Sequence, residues 1–315
     1  MVNIEQVKKN LDLFVGTGDI KDRLFKELSG STHQAYLLVG PDYVGKGFLA
    51  KLLAANFLNI DWVQDLSHPD LVIFNQLLEK NASSAGEKQW KQSVNDLIHS
   101  IHLSPVISKY RVAVIQNIDS FSPQALNALL KTLEEPPEKA VIIMTAVDKD
   151  SLLPTILSRV QILRLNFLPD SEIKKWLSGQ TMSNIDELTL VSNGRISLAM
   201  RLLKDKELAE IMFKGLKDFK DVADKDLFKS MQLVNIKDRE KSLNLIGLWL
   251  NLIRRIWLAQ LGSQSLPDSF KDYLGRYSNE ELVAFIKKLQ EAKLAVIKNA
   301  NARIALEDVV VSSLI

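Results

Sequence analysis

At 315 residues the chain exceeds the roughly 250–300 residues that one hydrophobic core usually supports, so two or three domains are expected. Its 46% hydrophobic and 25% charged residues describe an ordinary soluble globular protein. The 40 Lys plus Arg against 38 Asp plus Glu leave a net charge of +2, too small for a dedicated nucleic-acid coat protein. The absence of cysteine excludes disulfides, Cys-ligated zinc, iron–sulfur clusters and thiol nucleophiles, and fits a reducing cytoplasm. The scattered histidines His33, His68, His99 and His102 argue against a zinc site of another kind.

Met1 to Gly16 mixes charged and apolar residues and reads as no signal peptide. From about residue 20 to 165, apolar runs alternate with helical patterns; the runs are Tyr36–Val39, Leu71–Phe74, Val112–Ile115, Val141–Thr145 and Gln161–Leu165. Continuous runs of this kind, separated by helices, predict a parallel sheet covered on both faces. The loop Glu79–Glu87, with Asn81, Ser83, Ser84 and Gly86, is expected to be the mobile segment. Three short helical segments are predicted from Pro169 to about Leu203. Beyond Lys206 everything reads as helix, with long amphipathic patterns at Leu243–Leu261 and Glu280–Asn299. In the second of these, Leu282, Phe285, Ile286, Leu289, Val296 and Ile297 share one stripe. Trp249 and Trp257, with Leu248, Ile253 and Ile256, read as core and subunit interface. The apolar stretch Leu243–Ile253 is broken by Asn244 and Asn251 and falls short of the ~18–20 residues a membrane span needs, so no membrane segment is expected. The pattern predicts an α/β domain over 1–167, a small helical domain over 168–205 and a larger helical domain over 206–315.

Gly40-Pro41-Asp42-Tyr43-Val44-Gly45-Lys46-Gly47 stands between an apolar strand and the helical run Phe48–Leu58. Strand, glycine loop and helix form the setting in which loop amides and a lysine cradle phosphates. The position after the lysine ordinarily carries Ser or Thr, whose hydroxyl helps hold Mg²⁺; here it is Gly47. The strand Arg111–Ile115 ordinarily continues into two acids, which hold the metal and polarise water; here it continues into Gln116-Asn117. Asp119 reads either as a displaced metal ligand or as a capping residue. Both protein ligands of a metal are therefore missing, and ATP hydrolysis by this chain is not expected. Residual ATP or ADP binding without hydrolysis remains open.

Ser122-Pro123 opens a helix with an N-cap serine and a proline at its first position. The helix runs through Asn127-Ala128-Leu129-Leu130-Lys131-Thr132-Leu133-Glu134-Glu135 to Pro136-Pro137, and Leu153-Pro154-Thr155-Ile156-Leu157-Ser158-Arg159-Val160-Gln161 follows downstream. These two stretches closely resemble the NALLKTLEEPP and LPTILSRxQ signatures of the clamp-loader branch of the AAA+ ATPases. Gln34-Ala35-Tyr36-Leu37 and His68-Pro69-Asp70 resemble further signatures of its bacterial members, and Asn299–Glu307 resembles the close of one of their subunits. The resemblance implies an AAA+ P-loop core over 1–167, a helical lid over 168–205 and an all-α collar over 206–315 that joins subunits.

It further implies that Arg159, with Ser158, acts as an arginine finger in the ATP site of a neighbouring motor subunit, where an essential finger is worth on the order of 10³–10⁵ in rate. Gly40, Gly45, Lys46, Gly47 and Thr145 would form the chain's own degenerate phosphate site, Thr145 at the sensor-1 position. At sensor 2, Ser197 stands where motor subunits place arginine, and Arg195 is displaced by about half a helical turn. The four-cysteine zinc module of many relatives is missing between Leu58 and His68, so neither zinc nor any other metal is expected. The implied partners are tau/gamma-type motor and delta subunits, the sliding clamp and primed DNA, in the cytoplasm. Lys131 and Arg111 are loose candidates for DNA contact. Two alternatives stay open: an active ATPase subunit using Asp119, and a non-replicative AAA+ adaptor.

Overall fold

The computed structural model describes residues 4–16, 18–29, 33–61, 67–75, 87–181, 183–224, 238–263, 266 and 268–314. Of the loop expected over Glu79–Glu87, residues 79–86 lie outside them, and Glu87 begins a helix instead. The chain divides into two compact units, one of Met1–Trp176 with Gly194–Leu198, the other of Leu177–Asn193 with Ala199–Ile315. The segment read as a small helical domain is shared between them.

The first unit is built on five parallel strands, β1 (Ala35–Val39), β2 (Leu71–Asn75), β3 (Arg111–Gln116), β4 (Ala140–Ala146) and β5 (Gln161–Arg164), in the order β2-β3-β4-β1-β5. The central strands β1 and β4 are buried along their whole length, whereas the edge strands β2 and β5 are only partly so. Alternate residues of each strand serve opposite faces. Tyr36, Leu38, Val112, Val114 and Ile143 pack with helices α1 (Ile4–Asp12), α2 (Gly18–Ser29) and α3 (Lys46–Leu58). Leu37, Val39, Ala113, Ile115 and Ile142 pack with α4 (Glu87–His102), α5 (Pro123–Glu134) and α6 (Pro154–Leu157). The predicted cap of α5 is present: the Ser122 hydroxyl accepts the Ala125 N–H at 3.3 Å, and Pro123 follows.

Because β4 lies between β1 and β3, the ends of three strands converge beside the loop that leaves β1. This arrangement puts a ligand site outside the carboxyl ends of the strands.

Three short helices, α7 (Asp170–Ser178), α8 (Ile185–Ser192) and α9 (Ile196–Lys204), occupy the interval where three were expected. In the second unit, α10 (Lys206–Ala223) packs on α11 (Arg239–Gln260), α11 on α12 (Asn279–Ile297), and α12 on α13 (Ala302–Leu314). Gly215 lets the first pair approach closely: a Cβ there would stand 2.2 Å from Leu245 Cδ1. The buried Trp249 indole donates to the Gly215 carbonyl at 2.9 Å. Ser278 and Glu281 form a reciprocal capping box at the start of α12. Leu282, Leu289 and Val296 form the buried stripe of α12, but Ile297 is exposed, because one further residue turns it about 100° away from Val296. Among the described residues no helix is long and apolar enough to cross a membrane.

Candidate functional site

The glycine loop follows β1 as expected. Gly40 donates its N–H to the Ala146 carbonyl at 3.2 Å, and a Cβ on Gly40 would lie 2.2 Å from the Leu165 carbonyl oxygen, so a side chain cannot fit. Tyr43 holds a left-handed backbone (φ 63°), unusual for a bulky residue, and its carbonyl accepts the Ser197 N–H at 2.9 Å. Gly45, with φ 103°, opens α3, and Phe14, Ile196 and Ser197 pack against it. Lys46 is buried and donates to the Gly40 carbonyl at 2.5 Å and the Pro41 carbonyl at 2.8 Å. Burial lowers its pKa, opposed by the charges of Asp42 and Asp119.

The two positions singled out as lost metal ligands meet in space. A Cβ built on Gly47 would lie 3.4 Å from Gln116 Nε2. Gln116 is turned this way by β2: its Oε1 accepts the Asn75 Nδ2–H at 2.8 Å, leaving the amide nitrogen toward the loop. Similar bonds tie the neighbouring strand ends. The Asn117 N–H donates to Thr145 Oγ1 at 3.0 Å, and Asp119 accepts the Val147 N–H at 2.8 Å.

Magnesium in a P-loop site requires hard oxygen ligands in near-octahedral geometry. Gly47 offers none, and Gln116 presents a nitrogen. Asp119, the residue proposed as a displaced ligand, accepts the Val147 N–H through Oδ2. Among the described residues, no group of three or more His, Asp and Glu side chains is placed to hold a metal. The residues of this loop do not fit the metal that the fold implies, although the lysine and the helix start fit phosphates.

Arg159 lies at the opposite ends of the strands, between α6 and β5. Its Nη1 donates to the Thr155 carbonyl at 2.8 Å and to Ser158 Oγ at 3.1 Å, and its Nη2 is 2.9 Å from Glu134 Oε1 at the end of α5. About a third of the side chain is exposed (34%), so the guanidinium can be approached from outside. The Ser158 hydroxyl donates to Thr155 O at 3.0 Å and shapes the turn that carries Arg159.

Arg195 packs on Phe167, within electrostatic range of Asp42 in the loop. Its guanidinium stacks over Phe167 at 5.2 Å, its Nε is buried without a hydrogen-bond partner, and burial lowers its pKa against the opposing charge of Asp42. Ser197 lies beside the loop, its Oγ 3.9 Å from the Cβ position of Gly45.

His68-Pro69-Asp70, met in the sequence only as a family-like signature, has a structural role that its burial discloses. Asp70 is fully buried, and its carboxylate accepts the N–H groups of Val106 (2.5 Å), Ile107 (2.8 Å) and Ser108 (2.7 Å). Burial alone would raise its pKa; these bonds and nearby His68 more than offset that and hold it below the ordinary carboxylate value. Arg111 completes this cluster, donating to the Ser100 carbonyl at 2.9 Å and the Pro69 carbonyl at 3.0 Å. It is engaged inside the fold, whereas Lys131 is exposed on α5. Asn75, Phe14 and Glu134 also escaped the sequence reading; each acts through a partner distant in the chain.

The parallel sheet of order β2-β3-β4-β1-β5, the phosphate-type loop and the appended helices define an AAA+ P-loop protein. The fold is shared with a crystallised DNA polymerase III gamma subunit-related protein of Thermotoga maritima, at 18% identity and a TM-score of 0.57, covering 93% of this chain and 98% of that one. Within this class, the chain is similar in sequence to subunits of bacterial DNA polymerase III, delta-prime and gamma among them. Residues 19–169 match the family profile described as DNA polymerase III, delta subunit. The delta-prime subunit of Bacillus subtilis is 25% identical over 325 aligned positions, covering 93% of this chain and 95% of that protein. The gamma subunit of Buchnera aphidicola is 29% identical over 153 residues, 47% of this chain. The chain spans only 42% of that gamma subunit's length.

Proposed function

We propose that the chain is a delta-prime-like subunit of the DNA polymerase III clamp loader, the assembly that places the sliding clamp on primed DNA during replication. It is silent as an ATPase and supplies Arg159 to the ATP site of an adjacent tau/gamma-type motor subunit. The observation that carries this reading is a contrast within one domain. Gly47 and Gln116 face each other where metal ligands are required, while Arg159 stands exposed at the other end of the sheet, oriented by Thr155 and Ser158. A guanidinium delivered to a γ-phosphate stabilises the charge that develops there, and its planar fork suits two phosphate oxygens. The second unit, all helical, serves on this reading as the collar joining motor and delta subunits, and Arg159 acts only in the cytoplasmic assembly.

The test is clamp- and DNA-stimulated ATP hydrolysis by a reconstituted loader carrying wild-type chain or Arg159→Ala. The expected result is a loss on the order of 10³ in turnover with assembly intact by gel filtration. Unchanged turnover would sink the finger role.

A further inference from the structure

We infer that the Gly40–Gly47 loop holds the phosphates of a nucleoside di- or triphosphate without a divalent cation, the Gln116 carboxamide donating a hydrogen bond where P-loop enzymes place the metal. The inference rests on reading this loop as a phosphate site and concerns how that site recognises its ligand. A polyphosphate normally shares its charge with Mg²⁺, which the loop hydroxyl and the strand-end acid hold in place. Here both are replaced, and in a matched way. Gly47 removes the hydroxyl and thereby opens room for Gln116 Nε2, which lies 3.4 Å from the Cβ position of Gly47. A metal cannot be bound through an amide nitrogen that carries two hydrogens, but a phosphate oxygen can accept from it.

The orientation of that amide is fixed before any ligand arrives. Its oxygen is held by Asn75 at 2.8 Å, so the nitrogen is directed at the loop with little ordering left to do. Other donors converge on the same place. Lys46 is 7% exposed; it donates to the neutral carbonyls of Gly40 and Pro41, which a phosphate oxygen outcompetes as a partner for an ammonium, and the Asp42 carboxylate stands off at 4.0 Å. Thr145 is 2% exposed; its oxygen already accepts from the Asn117 N–H, which leaves the hydroxyl hydrogen to donate. Of the two carboxylates that would oppose an anion, Asp119 is drawn onto the Val147 N–H at 2.8 Å, and Asp42 is exposed to solvent. The site is a set of donors without a metal ligand, and its ligand is an anion recognised by N–H and O–H groups.

The experiment is calorimetric titration of the full chain with ADP, and separately with inorganic pyrophosphate, in EDTA and in Mg²⁺. ADP should bind with the same Kd in both buffers to within about twofold, and more tightly than pyrophosphate. Gln116→Leu should weaken ADP about tenfold in both buffers, with the circular dichroism spectrum unchanged. Gly47→Ser combined with Gln116→Asp should turn the site around, binding ADP in Mg²⁺ and losing it in EDTA. Several outcomes overturn the inference. Binding by wild type in Mg²⁺ alone defeats the metal-free part and leaves the phosphate loop standing. Binding unaffected by Gln116→Leu removes the role of that residue. Pyrophosphate binding as tightly as ADP rejects the nucleoside. No binding of either ligand in either buffer rejects the phosphate loop itself.

Discussion

The two polar clusters of the sheet domain lie at opposite ends of the same strands and use their hydrogen bonds in opposite ways. At the amino ends, both oxygens of Asp70 accept backbone N–H groups, and Arg111 is bonded to two carbonyls. At the carboxyl ends, Gln116 Nε2 faces Gly47 of the glycine loop, the Thr145 oxygen accepts one N–H and keeps its own hydrogen to donate, and Lys46 is hydrogen-bonded to two carbonyls with Asp42 at 4.0 Å. In a sequence both clusters are short polar motifs beside apolar runs. The difference lies in capacity left over: a cluster whose groups are satisfied internally holds the fold together, whereas one with donors in reserve can receive a ligand.

If the amino-end cluster is structural, damage to it must register in stability. Asp70→Ala leaves three backbone N–H groups without an acceptor in the interior, and we expect a loss of about 3 kcal/mol or more in urea unfolding. A loss under about 1 kcal/mol would erase the contrast between the two ends. The pH dependence gives an independent reading. The folded pKa of Asp70 is depressed, so its contribution is fully present above the unfolded value of about 3.9 and disappears as pH falls through the lower folded value. Asp70→Asn should therefore flatten the acid limb of the stability curve. An acid limb unchanged in slope would show that other carboxylates set it.

The carboxyl-end bond between Asn75 and Gln116 should matter far less to folding. Both side chains are only partly buried, and Asn75→Leu is expected to cost about 1 kcal/mol, the worth of one neutral hydrogen bond. A cost equal to that of Asp70→Ala in the same urea titration would mean that this end, too, is there for stability.

These features differ in how far a single sequence discloses them. All five strands were legible, because central parallel strands are buried on both faces and read as unbroken runs of Val, Ile and Leu; the structure extends most of them by a residue or two. The cap at Ser122-Pro123 and the glycine loop were legible for the same reason, since each is made by neighbours in the chain. Helices α1 and α2 were not foreseen, being short and rich in charge, so that only residues such as Val7, Leu11, Leu24 and Leu28 mark their buried sides. The partner of Gln116 was hidden because it is fixed by strand register: Asn75 and Gln116 are paired positions of β2 and β3, 41 residues apart. The role of Asp70 was hidden for a related reason, as its three donors come from a loop more than thirty residues away.

The smallest effect on stability is expected at Arg159, and it makes the sharpest test of how a finger is kept ready. Its ion pair with Glu134 is partly exposed, at 34% and 45% for the two side chains, and such pairs contribute about 0.2–1 kcal/mol. Breaking it should be nearly invisible in unfolding. On the proposed reading, however, the guanidinium must leave Glu134 to engage a phosphate, because a carboxylate at 2.9 Å neutralises the charge it would deliver. The free energy of the pair is then the cost of release, and removing it raises the fraction of time the finger is available by the corresponding factor, up to about fivefold for 1 kcal/mol. Glu134→Gln should therefore raise the basal ATP turnover of a reconstituted loader severalfold, opposite in sign to Arg159→Ala, while the bonds to Thr155 and Ser158 still set the direction of the side chain. A fall in turnover with Glu134→Gln would mean that the carboxylate positions Arg159 in its working geometry, and the finger would then act together with Glu134 as a single unit.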